Sequence, residues 1–320
     1  MGTATRVHGP GDALAADEAM ATLREHGRWS LFRDAFLRFR YADGFSHARA
    51  LAFQTVLALV PLAIALVGLS AELPTGRLGA VLETGLQRLV PAESADLVHG
   101  ILERSRRRAG EGGAVALWFG AAFSFANLVT GLCQIERGAN RIYGIERDRP
   151  FLRKYGRGVV MAAAAGLPLG LGFVVLVAGR QVGDAVAEVY GLGPGATAVW
   201  AVLHWPVGML LAVMAASAIF RRAPRRRQPG YSWLAFGAAF YLVLWVASTW
   251  LLGAFLRLSG SFDALYGPLS VVFSLLAWSY LTAVALLLGI AFAAQLEADR
   301  SGRSDPVEPD PAAAGTGARA

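Results

Sequence analysis

Residues 48–70 read ARALAFQTVLALVPLAIALVGLS, and Arg49 at the edge is the only charged side chain in that stretch. A helix rises 1.5 Å per residue and the hydrocarbon core of a bilayer is about 30 Å thick, so about 20 such residues cross it. Five further blocks of the same character follow, at about 113–133, 158–178, 198–220, 231–256 and 268–294. They predict an all-α membrane protein whose six transmembrane helices fill residues 48–296. The whole chain agrees: of its 320 residues 55% are hydrophobic and 17% charged, with a mean hydropathy of +0.46, whereas a soluble domain carries roughly 25% charged residues.

Orientation follows from the short connections, because Lys and Arg resist translocation. After the second block come Arg137, Arg141, Arg147, Arg149, Arg153, Lys154 and Arg157, and after the fourth come Arg221, Arg222, Arg225, Arg226 and Arg227. The connections after the third and fifth blocks hold only Arg180 and Arg257. This asymmetry places the second and fourth connections, and both termini, in the cytoplasm.

Outside the spans the chain is expected to be amphipathic or unstructured. In the N-terminal segment 1–47, Trp29, Phe32, Phe36 and Phe39 recur at helical steps among Arg28, Arg33, Arg38 and Arg40. They predict a helix over about 28–41, either lying in the lipid interface with its guanidiniums near phosphates or packed on the bundle. No cleavable leader is evident, so the N-terminus is expected to be retained. The connection 71–112 carries Leu78, Val81, Leu82, Leu86, Leu89 and Val90, then Leu97, Val98, Ile101 and Leu102, which predict two short amphipathic surface helices. The tail 297–320, rich in Pro, Gly and Ala from Ser301 onward, has no apolar period and is expected to be disordered.

Polar side chains are expensive in hydrocarbon, so the faces they share are informative. Gly113, Gly120, Ser124, Asn127, Gly131, Gln134, Gly138 and Arg141 follow three-, four- and seven-residue steps, one stripe of a helix. His47, Gln54, Ala58, Pro61, Ala65 and Gly68 form a matching stripe on the first span, and the two faces are expected to meet inside the protein. Such stripes serve close helix packing or line a polar cavity. Gln54, Ser124, Asn127, Gln134 and His204, the ionisable group deep in the fourth span, are the candidate lining residues. Pro61, Pro168 and Pro206 fall within spans and permit kinks.

Constellations that carry enzyme chemistry are missing. Cys133 is the single cysteine, which excludes an intrachain disulfide and any zinc site built on several thiolates. There is no HExxH, no Walker A motif and no intramembrane carboxylate pair, so no metal or other cofactor and no enzyme activity are expected. The net charge of +7 reads as topology and attraction to anionic lipid rather than nucleic-acid binding. Membrane lipids with anionic head groups at the cytoplasmic face are the expected partners, with a homo-oligomer or an envelope protein as further candidates.

Three stretches together resemble the YihY/virulence factor BrkB family of bacterial inner-membrane proteins. They are RALAFQTVLALVPL, QIERGANRIYGIERDRPFLRKYGR with Asn140, Tyr143, Gly144, Arg149 and Phe151, and YGPLSVVFSLLAWSYLTAVALLLGIAFAAQLE with Tyr266, Gly267, Leu275, Trp278, Tyr280, Gly289 and Glu297. Gln54 stands where family members often have Tyr. The resemblance implies six helices with both ends inside the cytoplasmic membrane and a role in envelope integrity or the export of a lipid or solute. An older ribonuclease label also attaches to the family, but this chain lacks a carboxylate or histidine cluster for cutting RNA. Asn140, Arg141, Tyr143, Arg149, Arg153 and Lys154 are the candidate lipid head-group or family-motif residues.

Two functions remain: a transporter or translocase for a lipid-like or small amphipathic solute, and a non-transporting assembly or envelope-integrity factor. Reporter fusions test the orientation common to both. Fusions at Arg149 and Arg225 are expected to report cytoplasm and fusions at Gly193 and Asp263 the opposite side; the reverse pattern overturns the charge argument.

Overall fold

The computed structural model describes residues 3–7, 16–25, 28–72, 113–258 and 269–308. Among them are nine α-helices: α1 Ala16–Glu25, α2 Arg28–Tyr41, α3 Gly44–Glu72, α4 Gly113–Ile142, α5 Phe151–Met161, α6 Leu167–Tyr190, α7 Pro194–Arg222, α8 Tyr231–Leu258 and α9 Leu269–Arg300. Four stretches, Trp118–Ile142, Pro194–Arg222, Tyr231–Leu258 and Val272–Arg300, are long and apolar enough to cross a membrane. The amphipathic helices expected in 71–112 fall outside the described residues from Leu73 on, as does the tail from residue 309.

Several helices outrun the apolar blocks that announce them. α4 continues nine residues past 133 and α9 six past 294, because the polar side chains on these extensions find partners inside the protein. The third block lies in a continuous helical stretch in which a π-helical turn, Ala162–Gly166, joins α5 to α6. Pro168 sits in the first turn of α6; it has no N–H to give the preceding turn, and the wider π turn accommodates that missing bond. Pro61 and Pro206 lie inside α3 and α7, which remain helical through them. Gly191 closes α6 in the left-handed conformation at φ 67°, with Leu192 N–H bonding back to the Ala187 carbonyl.

The chain forms two compact units. The first comprises Met1–Val56, Val129–Ala165 and Val213–Ala320. In it α2 buries Leu31, Ala35, Arg38 and Phe39 while Trp29 stays 77% exposed. Phe32 meets Phe240 edge-on, and Phe240 stacks on Phe292 at 4.4 Å. One face of α2 is therefore packed on the helices of this unit. Residues 301–308 depart from the expected disorder: a turn at Ser301–Gly302 leads to an antiparallel bridge between Ala4 and Val307, flanked by bonds from Thr5 N–H to the Pro306 carbonyl and from Glu308 N–H to the Thr3 carbonyl. Pairing with the N-terminal segment 3–7 satisfies a backbone that composition alone would leave to water.

The second unit comprises Leu57–Leu128 and Gly166–Ala212. Its α6 and α7 approach through small residues: a Cβ at Gly172 would lie 3.1 Å from Leu211 Cβ, and one at Gly208 2.6 Å from Leu176 Cγ. In lipid, where no hydrophobic force draws helices together, such close backbone packing takes its place. Gly166 packs against Leu128 in the same manner.

In the first unit α8 and α9 approach through a glycine on each side. A Cβ at Gly237 would fall 2.7 Å from the Gly289 carbonyl oxygen, and one at Gly289 2.9 Å from the Gly237 carbonyl oxygen. Neither backbone can move aside as a side chain could. Gly237→Ala is therefore expected to lower stability by about 1–3 kcal/mol, as overpacking does, whereas Gly156→Ala, which meets nothing within 4 Å, should be neutral or stabilising. Thermal midpoints of the purified variants in detergent check the contrast.

Candidate functional site

The expected meeting of the polar faces of α3 and α4 is present, pair by pair. In the first unit, Gln134 Nε2 and His47 Nδ1 are 2.9 Å apart, and a Cβ at Gly131 would lie 3.8 Å from Gln54 Cβ. In the second, Ser124 Oγ donates to the Ala58 carbonyl at 2.7 Å. Gln54 keeps its side-chain oxygen buried with no hydrogen-bond partner among the described residues. Asn127 uses its amide differently, donating to the carbonyl of Phe123 one turn back at 2.8 Å.

His204 is 5% exposed, and its Nδ1 bonds the Trp200 carbonyl at 3.0 Å, four residues back on α7. Trp200 in turn donates its indole N–H to the Gly179 carbonyl at 2.6 Å. Gly179 and Gly183 leave room for these two rings, since a Cβ at either would overlap His204 or Trp200. The histidine is locked into the α6–α7 crossing of the second unit.

The motif residues of the second connection build a dense polar cluster in the first unit. Arg149 forms an ion pair with Glu136 of α4 at 2.9 Å, Glu136 being 2% exposed, and reaches the carbonyls of Ala223 and Pro224 at 3.2 and 3.1 Å. Arg157 bonds the Arg222 carbonyl at 3.0 Å. The end of α7, whose last carbonyls have no partners within the helix, is thus capped by two guanidiniums that also suit the negative end of its dipole. Asn140, fully buried, donates to Asp148 at 3.0 Å and accepts the Arg225 backbone N–H at 2.8 Å. Lys154, 6% exposed, meets Asp148 at 3.0 Å, and Arg137 meets it at 3.2 Å. Burial acts against the charged carboxylate, but the bonds from Asn140, Lys154 and Arg137 and the charge of Lys154 outweigh it and hold Asp148 below its ordinary value of 3.8.

A second buried group ties both ends of the chain to this cluster. Arg226 pairs with Glu297, donates to the Val7 carbonyl at 3.0 Å and lies 4.5 Å over the Tyr143 ring. Arg38, fully buried, bonds Gln295 Oε1 at 2.8 Å, the Thr5 carbonyl at 2.7 Å and the Ile142 carbonyl at 3.3 Å. Gln295 passes its amide on to Asp299 and to the Ser304 carbonyl. Burial pushes the Arg38 guanidinium down to about 10, opposed by the charges of Tyr143, Asp299 and Glu297, so it stays charged at neutral pH. Burial, with Glu297 nearby, pushes the Tyr143 hydroxyl well up.

Of the six candidate head-group or family-motif residues, Asn140, Tyr143, Arg149 and Lys154 make internal contacts, and Arg141 and Arg153 are exposed. Arg38, expected near phosphates, is interior. The signal for this was its register, since Leu31, Ala35, Arg38, Phe39 and Ala42 share one helical stripe. Beside the cluster is an open cleft of about 760 Å³ whose lining includes Arg6, Arg141, Arg147, Arg225 and Arg226 together with Asp43, Glu146 and Glu308. Sequence reasoning gave no sign of Arg6, which the strand pairing of residues 3–7 brings there.

The family model described as Virulence factor BrkB matches residues 35–314. A Bacillus subtilis protein named as ribonuclease-like, YfkH, is 25% identical over 269 residues, 81% of this chain and 92% of the relative. A UPF0761 membrane protein of Aromatoleum aromaticum is 30% identical over 253 residues, 78% of this chain and 59% of the relative. One of Stenotrophomonas maltophilia is 28% identical over 279 residues, 83% and 61% respectively. The chain thus spans about three fifths of the length of these UPF0761 relatives. No solved structure matches it.

Removing one partner of a buried ion pair strands the other, so Arg149→Ala is expected to cost about 3–5 kcal/mol, and Arg153→Ala, which touches no partner among the described residues, almost nothing. The depressed Asp148 contributes stability that is fully present above its ordinary 3.8 and is lost as pH falls through its lower folded value. Acid titration of the detergent-solubilised protein should show a loss below about pH 4 that Asp148→Asn removes.

Proposed function

The chain belongs to the virulence factor BrkB family of membrane proteins, and from that membership we propose that it is a transporter or translocase for a lipid-like or small amphipathic solute that serves envelope integrity. The observation that supports this most is the α3–α4 contact, where the Gln54 oxygen is buried beside Gly131 without a partner among the described residues. An unsatisfied buried acceptor costs about 1–3 kcal/mol. Pure packing has no use for it, whereas a solute path does, because a passing hydroxyl or amine can bond it. The reading includes six spans, an inner-membrane location, both termini in the cytoplasm and anionic lipid head groups as neighbours of the arginine-rich connections. It includes no enzyme activity: the ribonuclease-like name of the Bacillus relative has no matching constellation of catalytic side chains in this sequence.

One set of observations favours the second reading, an assembly or envelope-integrity factor. Asn127 and His204 both satisfy carbonyls of their own helices, and the glycines of α6 and α7 serve close approach. Polar groups on these faces then serve packing alone.

Gln54→Leu separates the two. Its oxygen makes no bond among the described residues that the substitution would break, so the thermal midpoint is expected to hold or rise. Proteoliposomes carrying a panel of fluorescent lipids and small solutes are expected to show flux with the native protein and none with the variant. Flux in neither protein supports the assembly reading, whereas equal flux in both keeps transport and removes Gln54 from its path.

A further inference from the structure

We infer that the open cleft of the first unit is a binding site for a phosphate ester that carries neighbouring hydroxyl groups. Three of its arginines, Arg6, Arg141 and Arg147, are exposed and make no side-chain hydrogen bond or ion pair among the described residues. That sets them apart from the guanidiniums around them. Arg225 is bonded to the Arg147 and Asp148 carbonyls, and Arg226 to Glu297 and Val7. Guanidinium is a planar fork of donors that matches two phosphate oxygens at once, and three forks lining one cleft suit a phosphate better than an isolated carboxylate.

The same wall carries Asp43, Glu146 and Glu308. Carboxylates repel a bare polyanion but accept hydrogen bonds from hydroxyls, so the mixed lining selects an ester of a polyol over inorganic phosphate. The volume of about 760 Å³ lies within the range of small-ligand sites. The floor is pre-formed. Gly144 has φ 70°, and a Cβ there would lie 2.6 Å from Arg6 Cα, so glycine is what lets the N-terminal segment 3–7 pass close enough to deliver Arg6. Val7 N–H bonds the Tyr143 carbonyl at 3.2 Å and the Ala4–Val307 bridge holds the other side. The ligand is either a glycerophospholipid head group or a soluble polyol phosphate. Only the lipid form leans on the head-group part of the proposal above, and the soluble form survives its failure.

Thermal midpoints of the full chain in a neutral detergent, titrated with three probes, test the site: glycerol 3-phosphate, a short-chain phosphatidylglycerol and a short-chain phosphatidylcholine. Saturable stabilisation by glycerol 3-phosphate assigns the soluble source, and stabilisation by phosphatidylglycerol alone assigns the lipid source. In either case Arg141→Ala or Arg147→Ala should weaken the effect about tenfold or more, the loss of one charge-assisted contact. Arg6→Ala should do the same, whereas Arg153→Ala should not. These side chains carry no bonds among the described residues, so the variants are expected to keep the native midpoint without ligand. Arg→Lys at the same positions, which keeps charge but loses the fork, should restore only part of the affinity. No stabilisation by either anionic probe, an equal effect of phosphatidylcholine, or binding unchanged in the triple alanine variant overturns the inference. None of these readouts measures flux, so the site can fail while the transport reading stands, and the reverse.

Discussion

Arg149 answers two electrostatic demands of the first unit at once. The end of α7 leaves the carbonyls of Ala223 and Pro224 without helical partners, and α4 buries the Glu136 carboxylate at 2% exposure. Either would be costly alone in a low-dielectric interior. One guanidinium, 2.9 Å from the carboxylate and within 3.2 Å of both carbonyls, satisfies both. Arg226 repeats the solution with Glu297 and the Val7 carbonyl, and Arg38 bonds Gln295 and the carbonyls of Thr5 and Ile142, so the polar extensions of α4 and α9 can remain helical past the apolar blocks.

This accounts for the unequal fates of the basic residues. A charge count treats the arginines of the second and fourth connections as equivalent, and for topology they are. In the folded protein they divide by what lies within reach. Those opposite buried carboxylates and helix ends become internal fasteners; those without such neighbours among the described residues, Arg141 and Arg147 among them, remain at the surface of a cleft, which Arg6 of the N-terminal segment joins. The second unit has no comparable charge cluster among its described residues and relies on close backbone approach, with Gly172, Gly179, Gly183 and Gly208 opening space for Leu211, His204, Trp200 and Leu176.

What the sequence determined by itself is what depends on local pattern. Hydrophobic length located the long helices, and three- and four-residue steps located both the 28–41 helix and the polar stripes of α3 and α4, down to the His47–Gln134 pairing face. These are legible because side-chain direction on a helix is set by geometry over a few residues. Tertiary structure alone decided which polar groups find partners far along the chain. Arg38 meets Gln295 across 257 positions and Arg226 meets Glu297 across 71, and the bridge at Val307 is closed by Ala4, far away along the chain. Burial of a charge becomes tolerable only when a counter-charge and a set of carbonyls are brought together, and no local pattern records that meeting.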